Sequence, residues 1–285
     1  MFPSKFDYHR PSSVQEAVQI LSDNPDAKVL AGGHSLIPVM KLRLATPSAL
    51  IDIGRIDALK GISRANGSLR IGACVTYNEI ANSGVVQDAA PLLAEAAGQI
   101  GDRQVRYRGT IGGNLSHADP ASDLPAAALA LGATLHVSGP NGSRSVSASE
   151  FFVDLMMTSL QADEILTEVE ISAASAGTGS AYVKFEHPAS GYALCGAAAV
   201  VTRGAGGSCT GASLCFNGVS ATAVSANGVA ASLVGSDLSD GAVESAVSNL
   251  SIPDAAGDMF ASAGYRQELA KAIGAQALRT ARDRA

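Results

Sequence analysis

The sequence predicts an α+β chain built from two units, on three observations. As far as residue 171, short apolar runs of strand length alternate with segments whose apolar residues recur at helical spacing. From 172 to 180 the chain is made only of Ala, Ser, Gly and Thr, a composition suited to a joint between units. Beyond it, three strand-like runs precede two helical ones, the order expected of a separate α+β unit packed on the first. The 285 residues suit two domains at roughly 100–200 residues each.

Taken in order, Ser13-Val14-Gln15-Glu16 has the spacing of a capping box, and Val14, Ala17, Val18 and Leu21 follow on one helical face before Pro25 closes the helix. Lys28-Val29-Leu30 reads as a strand running into Ala31-Gly32-Gly33-His34-Ser35. Residues 36–44 read as a helix, with Pro38 admitted because it falls in the first turn. A strand at 49–53 completes a β-α-β unit much smaller than a full dinucleotide fold. Residues 68–73 are extended, Thr76-Tyr77-Asn78-Glu79 is a second capping box, and 90–100 is a helix closed by Gly101. Thr110-Ile111-Gly112-Gly113-Asn114 is a second glycine turn, followed by Asp119-Pro120-Ala121-Ser122-Asp123-Leu124-Pro125 and a helix of small residues to Leu131. Strands at 133–137 and 143–147 flank Asn141-Gly142, a strong two-residue hairpin signal, and Ile165, Thr167, Val169 and Ile171 alternate along a strand at 164–171. In the second unit, strands are expected at 181–186, 195–202 and 208–217, and helices at 240–250 and 264–282.

With 47% hydrophobic and 16% charged residues the chain folds rather than staying disordered. No run approaches the roughly 20 apolar residues that a membrane-spanning helix needs. A net charge of -6 and a pI near 5.3 have the wrong sign for gripping a phosphate backbone, so nucleic acid is not an expected partner. Cys74, Cys195, Cys209 and Cys215 form no C-x-x-C pair and no metal-ligand spacing. They read as small core residues of a reducing compartment, with a Cys209–Cys215 disulfide left open. The start of the sequence has no apolar signal stretch and its end no lipidation motif, so a cytoplasmic location is expected, with any membrane association made through other chains. Trp is absent and aromatics make only 5%, so part of the burial is expected against partner subunits.

Glycine pairs let main-chain N–H groups approach an anion without an intervening Cβ, and where such a turn opens a helix the orphan amides attract phosphate. Residues 30–44 have that layout, and the turn at Gly112-Gly113 offers a second set of amides with the Thr110 hydroxyl and the Asn114 amide beside it. Taken alone, each is more often just a tight turn, and neither is a Rossmann or P-loop signature. Together, however, Ala31-Gly32-Gly33-His34-Ser35-Leu36, Thr110-Ile111-Gly112-Gly113-Asn114 and Asp123-Leu124-Pro125 resemble the flavin-binding medium subunit of molybdenum hydroxylases, the xanthine dehydrogenase family. The resemblance runs from Phe6-Asp7-Tyr8-His9-Arg10-Pro11 through Ile37-Pro38-Val39-Met40-Lys41-Leu42-Arg43-Leu44-Ala45 to Tyr265-Arg266 and so covers essentially the whole chain. The opening hexapeptide and His34 are most similar to the carbon monoxide dehydrogenase branch.

The resemblance implies a two-subdomain FAD-binding domain of the PCMH type at 1–176, with subdomains at about 1–57 and 58–176. It implies a C-terminal medium-subunit domain at 177–285, with a three-stranded antiparallel sheet and a helical bundle. Carried over by position, Leu30, Ala31, Gly32, Gly33, His34, Ser35 and Leu36, with Thr110, Ile111, Gly112, Gly113 and Asn114, hold the FAD diphosphate. Asp123 accepts from the polar tail of the flavin, Ile100 and Leu166 line the cofactor, Lys184 lies near it, and Tyr192 stands beside the isoalloxazine ring. Each has an ordinary alternative: Asp123 as a helix cap, Lys184 as a solvated strand face, Tyr192 as a surface residue, Ile100 and Leu166 as core, and Arg103, Arg106 and Arg108 as a solvated basic face.

No catalytic triad or paired carboxylates can be assembled from the sequence, so no catalytic residue and no metal ligand is expected in this chain. In the family, substrate is oxidised at a molybdenum–molybdopterin centre on a large subunit, two [2Fe–2S] clusters on a small subunit carry the electrons, and FAD passes them to a quinone, oxygen or another acceptor. The implied assembly is a dimer of heterotrimers. Carbon monoxide, a small aldehyde or an N-heterocycle stay open as substrates of the parent enzyme. A self-contained flavin oxidase and a non-redox nucleotide-binding assembly subunit are the rival readings.

Overall fold

The computed structural model describes residues 1–252 and 254–285. Strands β1 (Asp7–His9), β2 (Lys28–Leu30) and β3 (Ala49–Asp52), with helices α1 (Val14–Asp23) and α2 (Leu36–Lys41), form the first layer. Its sheet is parallel in the order β1-β3-β2, which is the expected β-α-β unit with an added edge strand. The capping box at Ser13 is half formed. Ser13 Oγ accepts from the Glu16 N–H at 3.1 Å, but the Glu16 carboxylate turns to the N–H and hydroxyl of Ser12. Helix α2 stops at Lys41 instead of continuing to residue 44, because Arg43 takes a left-handed φ of 60°.

A 3₁₀ turn at Asp57–Leu59 leads into β4 (Ile62–Ala65) and β5 (Ser68–Gly72). The two are joined through Asn66 and Gly67 at φ 51° and 80°, the tight primed turn of a hairpin. Helices α3 (Tyr77–Asn82), α4 (Gly84–Ala89), α5 (Pro91–Gly98), α6 (Arg103–Arg106), α7 (Ile111–His117) and α8 (Asp123–Ala130) follow. Then come β6 (Thr134–Gly139), β7 (Gly142–Ser147), α9 (Ala148–Phe151), the small hairpin β8 (Phe152–Asp154) and β9 (Met157–Thr158), and β10 (Ile165–Ser172). Five of these strands make an antiparallel sheet in the order β4-β5-β10-β6-β7.

The last unit holds β11 (Thr178–Glu186), β12 (Ala193–Arg203), β13 (Cys209–Asn217) and β14 (Val224–Ser225), then α10 (Asn227–Leu233), α11 (Asp240–Ser248) and α12 (Ala263–Asp283). Its antiparallel sheet has four strands rather than the expected three, because the short β14 pairs Phe216 with Val224. Strand β12 explains much of the alanine. Ala197 and Ala199 belong to a core shared with α12, while Ala198 belongs to the core of the preceding unit. A strand covered on both faces needs small side chains where backbones approach closely, and no alternation of polarity marks it. Helix α8 is enclosed in the same way, with Leu124, Ala126, Ala127, Ala128 and Ala130 all buried. All four cysteines are buried and free, so the disulfide left open does not form.

Candidate cofactor site

A cleft of about 1010 Å³ lies between the parallel layer and the five-stranded unit, with Ser190, Gly191 and Tyr192 of the last unit on its wall. Its size is at the upper end of ordinary ligand sites, which suits an extended ligand. All seven residues of the first glycine turn line it, as do Ile100, Thr110, Gly112, Gly113, Asn114, Asp123, Leu166 and Tyr192. Ile111 does not: it is buried in the central core. Lys184 also stands outside the lining, and its side chain is 2% exposed where a solvated strand face was the ordinary alternative.

The first turn is shaped by two different glycine requirements. Gly33 takes a φ of 74°, which suits glycine, and a Cβ on Gly32 would stand 2.2 Å from the Arg108 carbonyl oxygen. Gly32 thus lets the turn press against another main chain. The result is a run of donors: the N–H groups of Gly32, Gly33, His34, Ser35 and Leu36 have no acceptor among the described residues. The first amide beyond them, on Ile37, bonds to Gly33 O at 3.0 Å. His34 reaches out instead, to Gln104 O at 3.2 Å.

The second glycine pair departs from expectation. Gly112 and Gly113 sit in the first turn of α7, and their amides are committed: Gly112 N–H to Ala73 O, Gly113 N–H to Thr110 Oγ1. Ile111 and Asn114 likewise donate to Val75 O and Thr110 O. A Cβ on Gly112 would lie 2.5 Å from that of Ala73, so this glycine stitches α7 onto the end of β5. The second cradle of free amides is therefore absent. The Asn114 amide is also engaged, donating to Tyr77 Oη at 2.9 Å and accepting from Ser122 Oγ at 2.7 Å. The Thr110 hydroxyl oxygen acts as an acceptor in the helix cap, which leaves its proton uncommitted there.

Asp123 does not cap α8. Ser122 holds the cap position, and the Asp123 carboxylate, 5% exposed, turns to β11. It accepts from the Tyr182 hydroxyl at 2.5 Å and from Lys184 Nζ at 3.3 Å. Burial pushes its pKa up to about 6, against the pull of the Lys184 cation and the Tyr182 hydrogen bond. The Asn217 amide lies 3.0 Å from the same phenolic oxygen, and Gly196 leaves room for the pair. One phenolic proton cannot serve two acceptors, so Asn217 faces Tyr182 with its NH₂.

Tyr77, Tyr182, Ser122 and Ser190 were not among the sequence candidates, although they line or brace the cleft. Tyr182 and Tyr77 carried only strand and capping-box signals, and nothing local marks them as partners of Asp123 and Asn114. Elsewhere, His136, Glu168 and Glu170 bring ligand atoms within 4.8 Å of one another, but Arg70 already bonds both carboxylates.

A two-part α+β scaffold holding a cleft of this size, with a row of unshared main-chain donors at the head of a helix and apolar walls beyond it, defines a protein that binds an extended phosphate-bearing cofactor. Residues 4–173 match the family described as the FAD binding domain in molybdopterin dehydrogenase, and 180–281 that described as the CO dehydrogenase flavoprotein C-terminal domain. The chain is 41% identical to the carbon monoxide dehydrogenase medium chain of Hydrogenophaga pseudoflava, over 99% of this chain and 98% of that one. It is 36% identical to the glyceraldehyde dehydrogenase medium chain of Sulfolobus acidocaldarius, over 96% and 97%. Among solved structures, reconstituted CO dehydrogenase from Oligotropha carboxidovorans superposes with a TM-score of 0.96 at 38% identity, covering 100% of both chains. The chain belongs to the family of FAD-binding medium subunits of molybdenum hydroxylases, and it is an oxidoreductase subunit whose cofactor is FAD. No described helix is long and apolar enough to cross a membrane.

Proposed function

We propose that this chain is the electron-exit module of a molybdenum hydroxylase whose parent enzyme is most like aerobic carbon monoxide dehydrogenase. FAD, when bound, supplies the ability to take electrons singly from [2Fe–2S] clusters and to release them to a quinone, oxygen or another external acceptor. The observation that carries the reading is the row of unpaired N–H groups from Gly32 to Leu36, facing the same cleft as Ile100, Leu166, Asp123 and Tyr192. Those five amides receive the diphosphate oxygens, and the Thr110 hydroxyl adds one donor from the segment packed against the first turn. The Asp123 carboxylate, held by Tyr182 and Lys184, accepts from hydroxyl groups of the polar tail. Ile100 and Leu166 keep water from the reactive portion, and Tyr192, 48% exposed, covers it from the side. Ile111 serves by fixing α7 beneath them.

In this reading the molybdenum–molybdopterin centre lies on a large partner subunit and the two [2Fe–2S] clusters on a small one, in a dimer of heterotrimers located in the cytoplasm. Support comes from full-length similarity to carbon monoxide dehydrogenase medium chains of two organisms. A parent enzyme that oxidises an aldehyde or an N-heterocycle is the second reading, favoured by the 36% identity to the glyceraldehyde dehydrogenase chain and a TM-score of 0.92 to quinoline 2-oxidoreductase from Pseudomonas putida 86. We place the domain boundary at 176/177, supported by the gap between the two matched segments.

An absorption spectrum of the purified chain, followed by co-purification from the native source with metal analysis, tests the proposal. Flavin bands, and molybdenum and iron in the co-purified complex, are the expected result. A flavin reduced by carbon monoxide, an aldehyde or an N-heterocycle in the isolated chain would overturn it.

A further inference from the structure

Lys184 lies on β11 in the last unit, and its ammonium is shut away from both solvent and cleft. Nζ donates to Gln99 O at 2.6 Å, Gly191 O at 3.0 Å and Asp123 Oδ2 at 3.3 Å. An ammonium has three protons, and all three are used. The acceptors are not a random set. Gln99 precedes Ile100, Gly191 precedes Tyr192, and Asp123 is itself a wall residue, so each bond ends on a different segment of the cleft wall. Two residues earlier on the same strand face, Tyr182 repeats the pattern. Its hydroxyl goes to Asp123, its N–H to Glu95 Oε2 at 3.1 Å, and its carbonyl accepts from Gln99 Nε2 at 3.3 Å.

From this geometry we infer that Lys184 is the positioning residue of the cofactor cleft: without touching the cofactor, it fastens the segments carrying Ile100, Tyr192 and Asp123 to the sheet of the last unit. The inference rests on the FAD reading for what the cleft holds, but not for the fastening itself. A neutral side chain could not replace it. A buried carboxylate that loses its partner is left as an uncompensated charge, whereas removing both members of a buried pair is far better tolerated. The charged and titratable groups facing Asp123 are Lys184, Tyr182 and Glu186 from β11, Tyr77 from α3 and Tyr192 from the loop before β12. Lys184 is the cation among them.

Lys184→Met and the double variant Lys184→Met/Asp123→Asn, both in the full chain, separate the roles. Hydrogen exchange without added FAD is expected to rise at least tenfold in Lys184→Met at 99–101, 122–124 and 190–192 together. FAD titration between pH 5 and 8 is expected to show at least tenfold weaker binding, with its pH midpoint displaced upward because Asp123 has lost its cation. The double variant is expected to regain wild-type stability in urea while exchange at 99–101 and 190–192 stays raised, since Gln99 and Gly191 remain unfastened. A rise confined to one segment, or a double variant whose exchange at 99–101 and 190–192 returns to the wild-type level, overturns the inference. A wild-type chain that binds no FAD counts against the functional reading alone, and the exchange pattern still decides the role of Lys184. Should Lys184→Met fail to fold, the double variant's exchange at 99–101 and 190–192 decides it in the same way.

Discussion

Asp123 carries its consequences at the scale of one side chain. Its carboxyl is pushed up to about 6 by burial, from an ordinary value of 3.8. Between those limits the folded chain holds the proton more tightly than the unfolded chain does, so stability falls as pH rises through the window, and the loss is complete above it. Asp123→Asn lacks that slope. Urea unfolding at pH 4, 5, 6 and 7 is expected to show the wild type losing ground to Asp123→Asn by about 1.4 kcal/mol per pH unit up to pH 6 and no further; parallel curves would dispose of the assignment. Gly32→Ala makes the opposite kind of change, adding a single carbon. With the Arg108 carbonyl oxygen 2.2 Å from the new Cβ, main chain must move, costing about 1–3 kcal/mol. The same shift displaces the free amides, so flavin content per chain after gel filtration is expected to fall together with the urea midpoint. Both glycine pairs were legible as special. The reason for Gly32 and Gly112 was not, because it resides in Arg108 and Ala73, which the fold alone brings alongside.

Among the elements, the helices with a clean apolar period were readable, and of the short strands β2 and β3 were while β1, β4 and β9 were not. Strands β1, β4 and β9 have two to four residues each, too few to display a period of two, and none runs into a glycine turn that opens a helix, as β2 does. The two capping boxes look alike in sequence and differ in space. At α3, Thr76 Oγ1 accepts from the Glu79 N–H while Glu79 accepts from the Thr76 N–H at 2.7 Å; at α1 only the first half exists. Thr76 also bridges to Thr110 at the head of α7. Thr76→Ala is therefore expected to cost about 1–2 kcal/mol and Ser13→Ala nearer 0.5, compared by thermal melts of the two variants. Equal losses would mean that reciprocity adds nothing here. Helix α8 was read correctly as a run of small residues, but its enclosure between two units was not, since alanine is equally at home on a surface.

For the molecule as a whole, the buried hydrophobic residues gather, among the described residues, into three clusters, and the central one crosses the proposed boundary by taking in Tyr182, Ala198 and Cys215. Residues 1–176 expressed alone would leave parts of α5 and α8 without their cover. That fragment is expected to bind a hydrophobic dye and to melt well below the full chain; a fragment that melts with the full chain and stays dark would show the units to be independent. Two units and their order could be read from composition and pattern. Their mutual burial could not, because one strand serving two cores presents only a string of small residues. The cysteines give the same architecture a practical use. Cys74 lies in the first cluster, Cys215 in the central one, and Cys195 and Cys209 in the last, and burial raises the pKa of every one of these thiols. A thiol reagent can therefore reach each only when its own cluster opens. Labelling followed by peptide mass mapping turns the four into built-in clocks, timing separately how often each third of the chain breathes.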